Sequence, residues 1–392
     1  IMIGHILLAL PLGATALYLS MFFIIIGTGL LKPNVSSVVG DMYAPNDARR
    51  DSGFSIFYMG INLGGFTAPL LVGLFQQNWG FHAGFGVAAV GMFIGLVVYL
   101  MSQKSLGLAG SVAPNPLSPA EKKTTTRNFT LGGLLIVLLG FIAYKTGNAS
   151  IENFSLLITF LGVMIPTVFI IFMYRSPKTN ADEKSRLLAY IPLFICAVMF
   201  WAIAEQSSTI LATFIDTRTN LTLWGFEIPA AWFQSFNPLF IIMIAPLFAL
   251  MWTKLGETGP STPRKFAYSL FFAGVSFFVM IAAILLTPEG TLVNPLWVVF
   301  SIFLLVLGEL LLSPVGLSAT TKLAPAAFAG QTMALWFLAS AAAQAINAQL
   351  VRVYEHVSET MYFGVLGGLS IVIGIIILFI SPIITKAMRG IK

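Results

Sequence analysis

Long apolar runs, each of about 20 residues, alternate with short polar segments along most of the chain. A helix of that length crosses the ~30 Å hydrocarbon layer of a bilayer. The runs are continuous and do not alternate residue by residue, which argues against a membrane β-barrel. The pattern therefore predicts an all-α integral membrane protein. The predicted spans lie near residues 16–40, 53–77, 81–102, 129–145, 154–174, 187–214, 229–253, 266–287, 294–318, 328–351 and 361–385.

The sequence opens inside an apolar run. Residues 1–10 are almost entirely hydrophobic, and Pro11 and Gly13 then interrupt the pattern. We interpret this segment as the end of a spanning helix. Many transporters are built from repeated bundles of equal helix number. If the six final spans have a counterpart before the central pair, the N-terminal two helices and most of the third are expected to be missing from this sequence.

Two charged linkers divide the chain. The first, over 103–128, contains three prolines and a run of lysines, and the second lies over 175–186. Two predicted spans lie between them. We therefore expect three parts: the remainder of an N-terminal bundle over 1–102, linkers and two extra transmembrane helices over 103–186, and a C-terminal six-helix bundle over 187–392.

The basic residues indicate an orientation. Of the 21 lysines and arginines, Lys145, Arg218 and Arg352 fall on one side of the predicted membrane. Lys32 falls inside a span, and all the others fall on the opposite side. Cytoplasmic loops of membrane proteins carry the excess of Lys and Arg. The basic side, which includes the C-terminus, is therefore predicted to be cytoplasmic.

Composition supports a membrane protein and excludes several other classes. Hydrophobic residues make up 57% of the chain and charged residues 9%, against about 25% charged in soluble domains, and the mean hydropathy is +0.90. The net charge of +6 comes from loop residues, so we expect contact with lipid and not with nucleic acid. The lone Cys196 excludes an intrachain disulfide. The sequence lacks a metal-ligand cluster, a phosphate-binding loop and a nucleophile–base pair, which predicts neither an enzyme nor a bound cofactor.

Three charged residues lie within predicted spans, away from the span ends. A charge at a helix centre costs at least ~2.5 kcal/mol to insert and usually marks function. Lys32, which precedes a proline, either faces a cavity or extends its amine to the cytoplasmic face. Glu205 shares a helix face with Trp201 and is a candidate proton carrier, with a structural ion pair as the alternative. Glu309 is a second candidate for a functional carboxylate inside a span, and the alternative is a fixed structural pair with a cation on another helix.

Uncharged polar and aromatic residues in the spans add further candidates. Asn62 shares a helix face with Tyr58, and it either joins two helices or contacts a ligand. Asn237 precedes Pro238, and it is either a capping or kink residue or a ligand contact. Trp336 lies too deep for an interfacial aromatic belt. It either lines a pocket or packs against other helices.

Several of these residues belong to longer motifs. The motifs are GLLKPNVS at 29–36, GDMY at 40–43, RRDSGFSIFYMGINLG at 49–64, FWAIAEQ at 200–206 and ELLLSPVGLS at 309–318. Together they closely resemble the signature of the proton-dependent oligopeptide transporter family, bacterial type. The resemblance extends over essentially the whole chain.

The resemblance implies a major facilitator fold, in which two six-helix bundles rock around a central site, with two extra central helices. It implies a symporter that imports di- and tripeptides by alternating access. Protons would be the coupling ion, and no other cofactor is expected. The protein would be a monomer in the bacterial cytoplasmic (inner) membrane.

The resemblance also assigns roles to residues by matching motif. Asn62, Asn237 and Glu309 would hold the amino terminus of the peptide, and Lys32 its carboxylate. Glu205 would take the proton and pair with Lys32 when deprotonated, and Glu309 would contribute to the coupling. The full expected substrate-binding set is Lys32, Tyr58, Asn62, Trp201, Asn237, Glu309 and Trp336. The family's Glu-x-x-Glu-Arg motif does not occur in this sequence.

Other functions are compatible with the same scaffold. The nearest alternative is a related major facilitator carrier for another small solute, such as nitrate or a drug. A second alternative is a peptide receptor that does not transport. A membrane enzyme is the weakest alternative, because the sequence offers it no catalytic residues.

Overall fold

A computed structural model describes residues 1–42, 50–107, 118–223, 225–255 and 258–391. Most of these described residues are helical. Two short strands, β1 (Thr222–Leu223) and β2 (Phe226–Glu227), pair antiparallel. The helices of the described residues are α1 Met2–Ala9, α2 Gly13–Asp41, α3 Arg50–Trp79, α4 Phe81–Ser102, α5 Pro119–Lys145, α6 Ile151–Arg175, α7 Ala181–Ala204, α8 Ile210–Arg218, α9 Phe236–Leu255, α10 Thr262–Leu286, α11 Pro295–Leu323, α12 Ala329–Tyr354 and α13 Glu359–Ala387.

The predicted spans are confirmed. Within the described ranges, eleven segments are long and apolar enough to cross a membrane, and each coincides with one predicted span. The protein is therefore a multi-pass helical membrane protein. The predicted span 187–214 differs in one respect, because it is interrupted between α7 and α8 by a 3₁₀ turn at Glu205–Ser208.

The chain divides into two compact units, Ile1–Ala149 and Ser150–Lys392. The division falls between α5 and α6, the two helices of the central pair. The boundaries expected from the charged linkers, after residues 102 and 186, stay predictions about how the bundles are organised.

In the Ile1–Ala149 unit, α1 packs against α2 and α4, and α3 packs against α4. Gly4 on α1 permits the close approach to α2, because a side chain there would meet the Ser20 carbonyl oxygen and the Ile24 side chain. On α5 no described residue is buried, and apolar residues such as Ile136 and Val137 are largely exposed. A helix of this kind needs lipid around it, since its apolar surface has no protein partner in the unit.

In the Ser150–Lys392 unit, one apolar core contains buried residues of α7, α8, α10, α11, α12 and α13. The contact of α10 with α13 is closest at Gly274 and Gly367, where a Cβ on either glycine would meet the backbone of the other. Ser370 Oγ donates across the same contact to the Leu270 carbonyl oxygen at 2.8 Å. Small residues and interhelical hydrogen bonds of this type hold helices together in a bilayer.

Helix α6 packs against α12 within this unit. Gly162 lies against the Ala345 side chain, and Thr159 Oγ1 donates to the Ala345 carbonyl oxygen at 2.7 Å. Gln349 Nε2 lies 2.9 Å from the side-chain oxygens of both Ser155 and Thr159. These polar contacts explain why one helix of the central pair is structurally part of the C-terminal unit.

Candidate functional site

Glu205 lies where the helical path changes. Helix α7 ends at Ala204, and Glu205 has backbone angles of φ −70° and ψ −11° at its C-cap. Ser208 Oγ donates to the Glu205 carbonyl oxygen at 2.9 Å, and Thr209 leaves the helical region at φ −127° and ψ −97°. The change from α7 to the 3₁₀ turn at Glu205–Ser208 places this carboxylate at a helix end.

The Glu205 carboxylate is held by two side chains of α12. Ser340 Oγ donates to Oε1 at 3.0 Å, and Gln344 Nε2 donates to Oε2 at 2.6 Å. The donors are four residues apart and therefore share one face of the helix. Each oxygen of the carboxylate therefore has its own side-chain donor.

Glu309 lies in a different setting, in the middle of α11. Asn237 Nδ2, in the first turn of α9, donates to Glu309 Oε2 at 3.0 Å. The structure therefore brings together two of the predicted site residues, which are 72 positions apart in the sequence.

Neither carboxylate is paired with a described cation. Ion pairs among the described residues join Arg218 to Glu359, Arg352 to Glu152 and Arg389 to Asp182, all away from Glu205 and Glu309. The structural ion pair considered for Glu205 is thus not formed within the described set. Within the described residues, only neutral side chains donate to the two carboxylates.

The two predicted tryptophans differ in their surroundings. Trp201 is half-buried and meets Phe200 edge to face, with ring centroids 5.6 Å apart. Trp336 is only 5% exposed, and its ring centroid lies 6.3 Å from that of Phe266. Its indole occupies the space beside Gly316, where a Cβ would collide with the ring. Trp336 therefore packs from α12 against α10 and α11, and its role at a side-chain pocket stays a prediction.

The remaining predicted residues lie in the Ile1–Ala149 unit. Lys32 is on α2, and its side chain lies outside the described set. Tyr58 and Asn62 are on α3, four residues apart. The Asn62 side chain is 8% exposed, and its Nδ2 donates to the Tyr58 carbonyl oxygen at 3.0 Å. Their roles in ligand binding stay predictions.

Ser340 and Gln344 were not among the residues predicted from the sequence. A signal for them was present, because they form a polar pair at i and i+4 in the otherwise alanine-rich stretch of α12. That signal does not identify the partner, which lies 135 and 139 positions away. Within the described ranges, no group of His, Cys, Asp and Glu side chains could hold a metal ion.

A family model described as the POT family matches residues 1–369. The chain belongs to the POT family. POT family proteins are peptide transporters of the major facilitator fold, so the predictions of family and fold class are confirmed, and the expectation that the protein is not an enzyme agrees with this membership.

Individual POT family proteins resemble the chain over its full length. It is 55% identical over 392 residues to a transporter of Bacillus subtilis (strain 168) named YclF, covering 100% of this chain and 79% of that protein. It is 41% identical over 399 residues to a di-/tripeptide transporter of Lactococcus lactis subsp. cremoris, covering 100% and 80%. The crystal structure of a peptide transporter POT in complex with sulfate matches with a TM-score of 0.95 at 58% identity, covering 100% and 79%.

Proposed function

We propose that this POT family protein imports di- and tripeptides together with protons by alternating access. The proposed location is a bacterial inner membrane, with the C-terminus in the cytoplasm. The substrate class is supported by the name of the 41% identical relative from Lactococcus lactis. The chemistry is supported by one observation above the rest: two carboxylates inside the spans, Glu205 and Glu309, each held by neutral side-chain donors.

Glu309 and Asn237 suit the amino terminus of a peptide. An ammonium group offers three donors and needs acceptors. Asn237 donates to Oε2 of Glu309, and no other described side chain donates to this carboxylate, which can accept further hydrogen bonds from a ligand. A zwitterionic peptide also needs a cation for its carboxylate, and the family resemblance assigns that role to Lys32. Asn62 and Tyr58 would add polar contacts, and Trp201 and Trp336 would border the side chains of the peptide.

Glu205 suits the coupling proton. Protonation removes the charge that Ser340 and Gln344 stabilise, and one carboxyl oxygen then becomes a donor. The contact between the 3₁₀ turn at Glu205–Ser208 and α12 would therefore differ between the two protonation states. In the proposed cycle, the charged form pairs with Lys32 and the protonated form releases it. Proton and peptide can drive transport only through different affinities for the outward and inward states.

The test is uptake of a labelled dipeptide into liposomes that contain the purified protein. We expect accumulation with an inward proton gradient and simple equilibration once a protonophore collapses the gradient. Liposomes of the same lipids without protein give the background. Excess dialanine should suppress the uptake, since it competes for the same site.

Two other results would redirect the proposal. Uptake that dialanine does not suppress, or transport of a different labelled solute only, would indicate a carrier for another small molecule. Saturable dipeptide binding without net uptake under any gradient would indicate a receptor. Either result would contradict the proposed symport.

A further inference from the structure

A cavity of about 1110 Å³ lies in the Ser150–Lys392 unit, among α9, α10, α11 and α13. Four of its lining residues are basic: Arg264, Lys265, Lys322 and Lys386. They come from the first turn of α10 and the last turns of α11 and α13. Three helices that are distant in sequence therefore bring four positive charges to one concave site.

This positive charge is not neutralised by the described residues. No described Asp or Glu lines the cavity, and none of the ion pairs among described residues involves its four cations. Lys265 is instead positioned by an aromatic ring, with Nζ 4.2 Å from the centroid of the Trp252 indole. A cation–π contact holds an ammonium group in place without cancelling its charge. The cavity is therefore suited to an anion.

The same cavity supplies neutral hydrogen-bonding groups. Ser261, at the N-cap of α10, makes no side-chain capping bond, and its Oγ lies 3.3 Å from Ser381 Oγ. Thr262 and Thr385 also line the cavity. Hydroxyl groups beside the basic residues can donate to phosphate oxygens.

The deeper wall of the cavity is apolar. It consists of Phe248 on α9 together with Leu310, Pro314 and Val315 on α11. Leu310 precedes Lys322 by twelve residues, which is about 18 Å along a helix. The cavity therefore has charge at the helix ends and hydrocarbon surface toward the middle of the spans. A soluble phosphate would use only the charged end, whereas a phospholipid would use both.

We propose that this cavity binds an anionic phospholipid. Its phosphodiester lies against Arg264, Lys322 and Lys386, and an acyl chain follows the apolar wall of α9 and α11. Basic pockets between helices at the cytoplasmic end of a bundle are suited to anionic headgroups. The basic residues of this cavity belong to the side of the membrane that the Lys and Arg distribution predicts to be cytoplasmic. The inference goes beyond peptide transport and does not depend on it, because binding is measured without a substrate.

The experiment measures lipid binding to the purified, delipidated protein in a neutral detergent. Native mass spectrometry gives the affinity for phosphatidylglycerol, and thermal unfolding gives the stabilisation by it. Phosphatidylcholine with the same acyl chains and inorganic phosphate are measured in parallel. We expect tight binding of phosphatidylglycerol alone.

The decisive variant replaces Arg264, Lys322 and Lys386 with glutamine and keeps Lys265, which packs on Trp252. We expect phosphatidylglycerol to bind about 100-fold more weakly, since each basic residue near a membrane surface adds a comparable share of the attraction. Unfolding without lipid checks that this variant is folded. If it is not, Lys386→Gln alone is expected to weaken binding about fivefold.

A matched control removes the same amount of charge outside the cavity, through Lys104→Gln, Arg175→Gln and Lys178→Gln, all at exposed positions. We expect this control to bind phosphatidylglycerol like the unmodified protein. Equal loss in both triple variants would indicate general surface electrostatics and overturn the proposal. If inorganic phosphate stabilises the protein as much as phosphatidylglycerol does, the site binds a free anion. If phosphatidylcholine binds as tightly as phosphatidylglycerol, the basic residues do not select the lipid. Either result would overturn the proposal.

Discussion

Glu205 and Glu309 are the two carboxylates of the candidate site, and their surroundings differ. Glu205 ends a helix, where a 3₁₀ turn follows, and two donors of α12 each hold one of its oxygens. Glu309 lies within the continuous helix α11, and a single amide of α9 holds one oxygen. Within the described residues, side-chain donors reach both oxygens of Glu205 but only one oxygen of Glu309.

This difference suggests a division of roles. Each oxygen of Glu205 accepts from a donor on α12, so a proton on either oxygen changes one of these two contacts. Because the donors lie on another helix, a proton on Glu205 changes a contact between α12 and the end of α7. Glu309 requires no such rearrangement to accept an ammonium group. We therefore expect Glu205 to determine coupling and Glu309 to determine peptide affinity.

Replacement of Glu205 with Gln gives the largest expected effect. The amide cannot carry the proton, so accumulation driven by a proton gradient should fall to the level of liposomes without a gradient. Exchange of labelled for unlabelled dipeptide should persist, because it needs no net proton movement. Both quantities are measured in the same liposome preparation. Undiminished accumulation would exclude Glu205 as the coupling residue.

Replacement of Glu309 with Gln should affect affinity. Loss of a charged partner for the peptide amine costs about 1.5–3 kcal/mol, which corresponds to a 10–100-fold higher KM. The measurement is the concentration dependence of dipeptide exchange. An N-acetylated dipeptide, which lacks the charged amine, serves as the control. Its KM should be the same for the variant and for the unmodified protein. A selective effect on accumulation, with exchange unchanged, would reverse the roles of the two carboxylates.

Two glutamines of α12 provide a sharper comparison. Gln344 bonds to Glu205, whereas Gln349 bonds to Ser155 and Thr159 of α6. Gln344→Leu should lower the ratio of gradient-driven to exchange uptake about tenfold, since it removes a hydrogen bond to a charged group. Gln349→Leu should leave that ratio unchanged and lower the unfolding free energy by about 1–2 kcal/mol. The same response from both variants would indicate a purely structural role for Gln344.

Ser340 should have the smallest effect. Its hydroxyl lies 3.0 Å from Glu205 Oε1, whereas Gln344 Nε2 lies 2.6 Å from Oε2. Ser340→Ala should reduce the same uptake ratio about threefold, in the range of a single hydroxyl hydrogen bond. Ser340→Thr keeps the hydroxyl and should restore the ratio. If the threonine variant resembles the alanine variant, packing at this position and not the hydrogen bond is responsible.

The spans and most of the charged and polar candidates follow from local sequence. A helix must be about 20 residues long to cross the hydrocarbon layer, so the apolar runs located eleven spans in advance. The cost of burying a charge made Glu205 and Glu309 stand out within them. The motifs at 29–36 and 49–64, which carry Lys32, Tyr58 and Asn62, indicated the family before any contact was known.

The tertiary structure alone decided which side chains meet. Ser340 and Gln344 reach Glu205 only because α12 packs beside the end of α7, and no local pattern records that contact. The 3₁₀ turn at Glu205–Ser208 interrupts a span whose apolar length alone predicts one continuous helix. The cavity cations Lys322 and Lys386 converge because three helix ends meet. Apolar length is a local property of the chain, whereas the partner of a buried polar group is set by packing between distant helices.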